Sequence, residues 1–247
     1  MVRSLLVRGM IAGLVAGLVA FVFARVFGEP ALEGGIAYED MVSAASGETG
    51  GPALVSRGVQ SSIGLAVGYL IYGVAVGGIL ALVHATAQGR LGRLGVRGTA
   101  VVVALVGFTS AVLVPFLKYP ANPPASSLDD TIGERTGLFV VMIVISVAGA
   151  VAATALCRRL ADRLGWWNAV LSAAGGYVVL VGLAAFLLPA ISETPRDFPA
   201  AVLYDFRLAS LGGHVVLWTA LTLVFATLAD RATRPSALAG AVPTRAS

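Results

Sequence analysis

Charge, sulfur and lysine are all scarce in this chain. Only 12% of its 247 residues are charged and 57% are hydrophobic, whereas a soluble domain carries roughly 25% charged residues. With a mean hydropathy of +0.89, too little polar surface remains to cover a water-soluble globule. Disordered chains are polar and charge-rich, so disorder is excluded on the same ground. One cysteine, Cys157, allows no intrachain disulfide and no paired-cysteine metal or redox motif. Lys118 stands alone beside sixteen arginines and is followed by Tyr119, so the Gly-Lys-Ser/Thr of a Walker A loop is missing. HExxH, GxSxG and paired carboxylates within an apolar run are missing too. The chain does not read as an enzyme.

What is present is apolar length. A spanning helix needs about 20 mostly apolar residues, and six stretches qualify: 5–27, 63–87, 99–116, 137–156, 168–189 and 208–229. The fold class expected is therefore all-α, a polytopic membrane bundle of six transmembrane helices over residues 1–231. A polar tail, 232–247, is expected to be disordered. The first run is long for the core of a signal peptide and has no convincing cleavage site, so it reads as a retained helix. Membrane lipid is the implied surrounding.

Basic residues alternate with acidic ones along the connections. Eleven of the seventeen basic residues, among them Arg3, Arg8, Arg90, Arg93, Arg97, Arg158, Arg159 and Arg163, fall on one side with only Asp162 and Asp230 as acids. By the positive-inside rule that side, with both termini, is cytoplasmic. The other side keeps six basic and eleven acidic residues, a net charge of −5 that steers cations toward it. This topology accounts for the overall +4 without invoking nucleic acid. Trp166 and Trp167 suit interface anchors. The connections 28–62, 117–136 and 190–207 read as long outer loops rich in Pro, Gly and acids.

Gly9, Gly13 and Gly17 recur every four residues, as do Gly64–Gly68 and Gly73–Gly77. Such faces let helix backbones approach closely in lipid, either within this chain or against another subunit. At residues 115–124, four prolines stop the third helix and stiffen a loop presenting Lys118, Tyr119 and Asn122. It reads as a helix stop with snorkelling anchors or as an ordered vestibule or docking loop. Arg25, Arg57, Lys118, Arg135 and Arg207 lie on the outer side, where neighbouring acids, Asp129 and Asp130 included, can form surface ion pairs with them. Arg25 and Glu29 are spaced to share a helical face. In the sixth helix Arg207, Ser210, His214 and Trp218 fall within about 80° of one another. His214 lies roughly 9 Å below Leu208. An ionisable group at that depth is a functional hypothesis by default, with a neutral, hydrogen-bonded histidine as the plain alternative. His84, at the other end of helix two, is too far away to share an ion with it. A transition-metal site thus needs oxygen ligands, a second copy or a partner.

Several motifs in order carry a resemblance. Met1-x-Arg3-x-Leu5-x-x-Arg8-Gly9 opens the chain, Arg25-Val-Phe-Gly-Glu29-Pro30 follows helix one, and Val55-Ser-Arg57-Gly-Val-Gln60 precedes helix two. Lys118-Tyr119-Pro-Ala-Asn122-Pro-Pro124, Thr131-Ile-Gly-x-Arg135-Thr and Phe206-Arg207-Leu-Ala-Ser210-Leu-Gly follow. Over nearly the whole chain to Arg231 they resemble the CbtA family of predicted cobalt transporter subunits. The resemblance implies a bacterial inner-membrane protein linked to cobalt uptake for cobalamin synthesis. It also implies a small partner, CbtB, with one span and a histidine-rich stretch.

The function expected is thus the membrane subunit of a Co²⁺ importer. No cofactor is bound and cobalt is the transported ion; a homo-oligomer is left open. The path would run past Arg25, Glu29, Arg57, Lys118, Tyr119, Asn122, Arg135, Arg207 and Ser210. His214 is the expected metal ligand, and Tyr69 and Tyr72 are further candidates for the path. The rival reading is a non-transporting scaffold or assembly subunit that binds a partner through the outer Pro-rich loop.

Overall fold

Helices that are apolar on every side need packed neighbours on one face and lipid on the other. The computed structural model describes residues 2–47, 56–92, 94–127 and 129–233. Val55, Arg93, residues 234–247 of the expected tail and the side chains of Asp129 and Asp130 lie outside what is described. Among the described residues there is no strand. Five helical segments are long and apolar enough to cross a membrane. They are α1 (Val2–Ser46), α2 (Arg57–Ala87), α3 (Val96–Lys118), a fourth segment (Asp129–Leu187) and α6 (Ala200–Thr233).

The fourth segment is two helices. Gly165 sits at φ 74° and ψ 157°, a conformation open essentially to glycine alone. Ser146 and Tyr177 would be about 46 Å apart on a straight helix, yet their hydroxyls meet at 2.6 Å. The chain therefore reverses at Gly165 into an antiparallel hairpin, α4 (129–164) and α5 (166–187). It joins the bundle mainly through the last turns of α3, residues 109–118.

The core lies among α1, α2, α3 and α6. Ala12, Ala16, Ala20, Leu80, Ala104, Leu217, Leu221 and Phe225 are all buried there. The α1–α2 contact is backbone against backbone: a side chain at Gly9, Gly13 or Gly17 would strike the carbonyl of Gly77, Gly73 or Tyr69. The small-residue face of α1 is thus consumed within the chain rather than left for another subunit. Gly68, by contrast, meets nothing within 4 Å, so the Gly64–Gly68 pair is not part of this contact. Away from the core the surface stays apolar, with Leu105 60% and Phe186 83% exposed. Only an apolar solvent suits such a surface. It is a membrane protein.

Three π-helical turns interrupt these helices, at Ala24–Gly28, Gln60–Gly64 and Thr109–Leu113. Two of them end two residues before a proline, Pro30 and Pro115. A proline in a helix removes one N–H and crowds the carbonyl four residues back. Here that carbonyl belongs to Val26 or Ala111, inside the widened turn, and the helix continues. This corrects two expectations. The stretch after Phe27 is helix as far as Ser46 and not an outer loop, and α3 runs past Pro115 to Lys118. At about 67 Å, α1 is more than twice the hydrocarbon thickness of about 30 Å. Its distal half stands at the acid-rich end, where Gly34 faces Val202, Gly35 faces Pro123, and Tyr38 packs edge-on to Phe198 at 4.7 Å.

At the basic end, Arg8 of α1 donates to the carbonyl of Leu228 at 2.6 Å, and Arg97 pairs with Asp230 at 2.9 Å. These bonds place the start of α1 and the end of α6 at the same end of the bundle.

Candidate functional site

Polar groups from three helices converge at the acid-rich half of the bundle. Glu29 of α1, Arg57, Gln60, Tyr69 and Tyr72 of α2, and Ser210 and His214 of α6 line one cavity of about 440 Å³. Glu29 is buried and its carboxylate accepts from Arg57 at 2.5 Å. Arg57 is the more exposed partner, and its Nε is buried without a hydrogen bond. The rings of Tyr72 and His214 meet edge-on with centroids 6.0 Å apart. The open space beside Gly64 and Gly68 forms part of the same cavity.

The π turns set this geometry. Glu29 directly follows the Ala24–Gly28 turn, and Arg57 stands just before the Gln60–Gly64 turn. A π turn closes i→i+5 bonds, so a four-residue spacing no longer stacks Glu29 over Arg25. Glu29 pairs with Arg57 across helices instead of with Arg25, and Arg25 stays exposed outside the cavity lining.

A second cluster ties the Pro-rich loop down. Glu193, between α5 and α6, has a side chain only 2% exposed. It accepts from Asn122 at 3.0 Å, from Ser127 at 2.9 Å and from Thr131, and it pairs with Arg135 at 3.3 Å. Arg135 also donates to the carbonyl of Pro120. Arg207 reaches the same loop, donating to Asn122 Oδ1 at 2.8 Å and to the carbonyl of Ala121 at 3.3 Å. Tyr119 is buried and donates to the carbonyl of Pro189 at 2.8 Å, joining the ends of α3 and α5. Burial, with a smaller push from Glu134, raises its pKa above the ordinary phenol value and keeps it a donor.

The loop therefore does not present Tyr119 and Asn122 outward, as the sequence suggested. Hydrogen-bond demand turns both inward, and Lys118 is half-buried with its ammonium over the Tyr119 ring at 5.6 Å. Nor are the two ion pairs surface pairs, since each has a buried carboxylate. The expected stripe on α6 divides by depth. Arg207 clamps the loop, Ser210 and His214 line the cavity, and Trp218 packs on Phe108 with its Nε1 buried and unbonded. His84 is buried elsewhere, against Val96 and Phe225. Glu193 escaped the sequence reading because its hydrogen-bond partners Asn122, Ser127 and Thr131 lie 62 to 71 residues away and Arg135 is almost as distant. No periodicity links groups so far apart. Its one local mark is a place in a short segment between Pro189 and Pro195.

The family model described as "Probable cobalt transporter subunit (CbtA)" matches residues 2–230. The chain belongs to the CbtA family. No curated protein and no solved structure matches it. The description of CbtA is that of a transporter subunit, not of an enzyme, and a subunit implies partner subunits.

Among the described residues of this CbtA chain, no three or more His, Cys, Asp or Glu side chains gather to hold a metal ion. The cavity offers one carboxylate, one imidazole, two phenols, a hydroxyl and an amide. Such a set suits a hard or borderline divalent cation. Its one formal negative charge is already matched by Arg57.

Proposed function

We propose that this CbtA-family chain is the membrane subunit of a cobalt importer, carrying Co²⁺ across the bacterial inner membrane toward cobalamin synthesis. The helical hairpin at Gly165 supports six spans, and the arginine-rich connections support a cytoplasmic location for both termini. The observation that carries the reading is the cavity itself: Glu29, Tyr69, Tyr72, Ser210 and His214, far apart in sequence, bring their polar groups to one cavity whose remaining lining, Leu32 and Leu65 included, is largely apolar. An ionisable group in a spanning helix is costly and seldom kept without a task. The acidic end gathers the cation, and the cavity passes it along past His214. A single-span, histidine-rich CbtB-type subunit supplies the nitrogen ligands that this chain lacks. The scaffold reading needs a loop that offers its side chains to a partner, and the clamp around Glu193 disfavours it.

The test is cobalt accumulation in cells lacking other cobalt importers, with nickel as competitor. The chain is expressed alone, with the histidine-rich partner, or not at all. Partner-dependent uptake, reduced several-fold by His214→Ala, is the expected result. Equal accumulation in all three, with both proteins in the membrane, would overturn the transport reading. Uptake unchanged by His214→Ala would remove that residue from the path.

A further inference from the structure

A buried carboxylate cannot remain ionised without a nearby positive charge. Glu29 has a side chain only 4% exposed, and the group that neutralises it is Arg57, at 2.5 Å. Every other polar group lining the cavity (Gln60, Tyr69, Tyr72, Ser210 and His214) is neutral or, for the histidine, neutral in its metal-binding form. These groups can solvate a cation but cannot balance its charge. A divalent cation therefore meets an unbalanced negative charge here only if it takes Arg57's place on Glu29, because the guanidinium already matches that carboxylate.

Arg57 is placed to leave. Its side chain is 37% exposed while Glu29's is not, and its Nε gains no hydrogen bond where it stands. It lies at the first turn of α2, immediately before the π turn Gln60–Gly64, and Glu29 lies immediately after the π turn Ala24–Gly28. Resting on the cavity's assignment as the cation path, we infer that Glu29 is the divalent-cation site and Arg57 its built-in competitor. Arg57 holds the site closed when no ion is present and helps expel the ion by returning. The site takes a hard or borderline divalent ion on oxygen and imidazole ligands.

The experiment is equilibrium dialysis of purified full-length chain in detergent against Co²⁺ alone. Arg57→Gln, which keeps hydrogen-bonding capacity but removes the charge, should bind Co²⁺ at least about tenfold more tightly than the wild type. Arg57→Lys keeps the competing charge and should stay near wild type. Glu29→Gln/Arg57→Gln should lose the gain. Near-ultraviolet circular dichroism confirms that each variant is folded. Equal affinity of Arg57→Gln and wild type, or full affinity in the double variant, would overturn the inference. Uptake by the same variants in cells separates the two readings. Tight binding by Arg57→Gln with no uptake by the wild type refutes transport and leaves the site standing. Wild-type uptake with no gain in binding refutes the exchange and leaves transport standing.

Discussion

Glu193 organises more of the acid-rich end than any other side chain, and it does so as a buried charge. Its carboxylate takes bonds from Asn122, Ser127 and Thr131 and balances Arg135. Removing one member of a buried pair leaves the other charge uncompensated, at a cost of about 3 kcal/mol or more. Glu193→Gln is therefore expected to lower the thermal unfolding midpoint in detergent markedly. Arg196→Gln, three residues away and exposed, should change stability by less than about 0.5 kcal/mol. Equal midpoints for the two variants would show that the clamp contributes nothing. The charged residues of the outer side were visible in the sequence, but their pairing was not. Arg25 has the spacing to meet Glu29 and does not, because a π turn lies between them; Arg57, 28 residues on, takes its place.

At the scale of elements, glycine does opposite things on two faces of one bundle. Along α1 it lets the backbone of α2 approach until its carbonyl oxygens occupy the place a side chain would need, whereas Gly68 fronts open space. Gly13→Val should force the helices apart and destabilise the protein by about 1–3 kcal/mol, as overpacking does. Gly68→Ala should be neutral or slightly stabilising, since alanine is favoured over glycine within a helix by about 1 kcal/mol. Thermal unfolding of both variants decides it, and comparable losses would mean that the α1–α2 contact is looser than described. The same glycine spacing marks both faces in the sequence. What separates them is the second helix, present opposite one and absent opposite the other. Two of the three π turns have a local origin in the sequence: Pro30 and Pro115 each need the carbonyl four residues back moved aside.

Across the whole molecule, the arginine bias and the shared location of the two chain ends make a joint prediction of topology. In a Cys157→Ser background, Ser192→Cys lies in the acid-rich connection and Arg90→Cys in the basic one, both exposed. A membrane-impermeant maleimide applied to intact spheroplasts should label Ser192→Cys at once and Arg90→Cys only after permeabilisation. The reverse pattern would invert the orientation. Labelling of both from outside would exclude an odd number of crossings between them and the proposed arrangement with it.

Composition by itself was enough to determine that this is an all-helical chain made for an apolar solvent, because hydropathy summed over twenty residues leaves no other use for such segments. The apolar runs located the helices but not their ends: the helix around 137–156 extends over 129–164, the one around 208–229 begins at Ala200, and α1 continues past Pro30 to Ser46. Order along the chain could not determine which polar groups meet. Glu29 with Arg57, Glu193 with Asn122 and Arg135, and Ser210 and His214 beside Tyr69 and Tyr72 are all encounters between different segments. Helix periodicity reports the face a residue occupies, and only the packing of α1, α2 and α6 decides what stands opposite that face. Buried charges then settle the pairing, since each must find a counter-charge within reach and the nearest one in space is seldom the nearest in sequence.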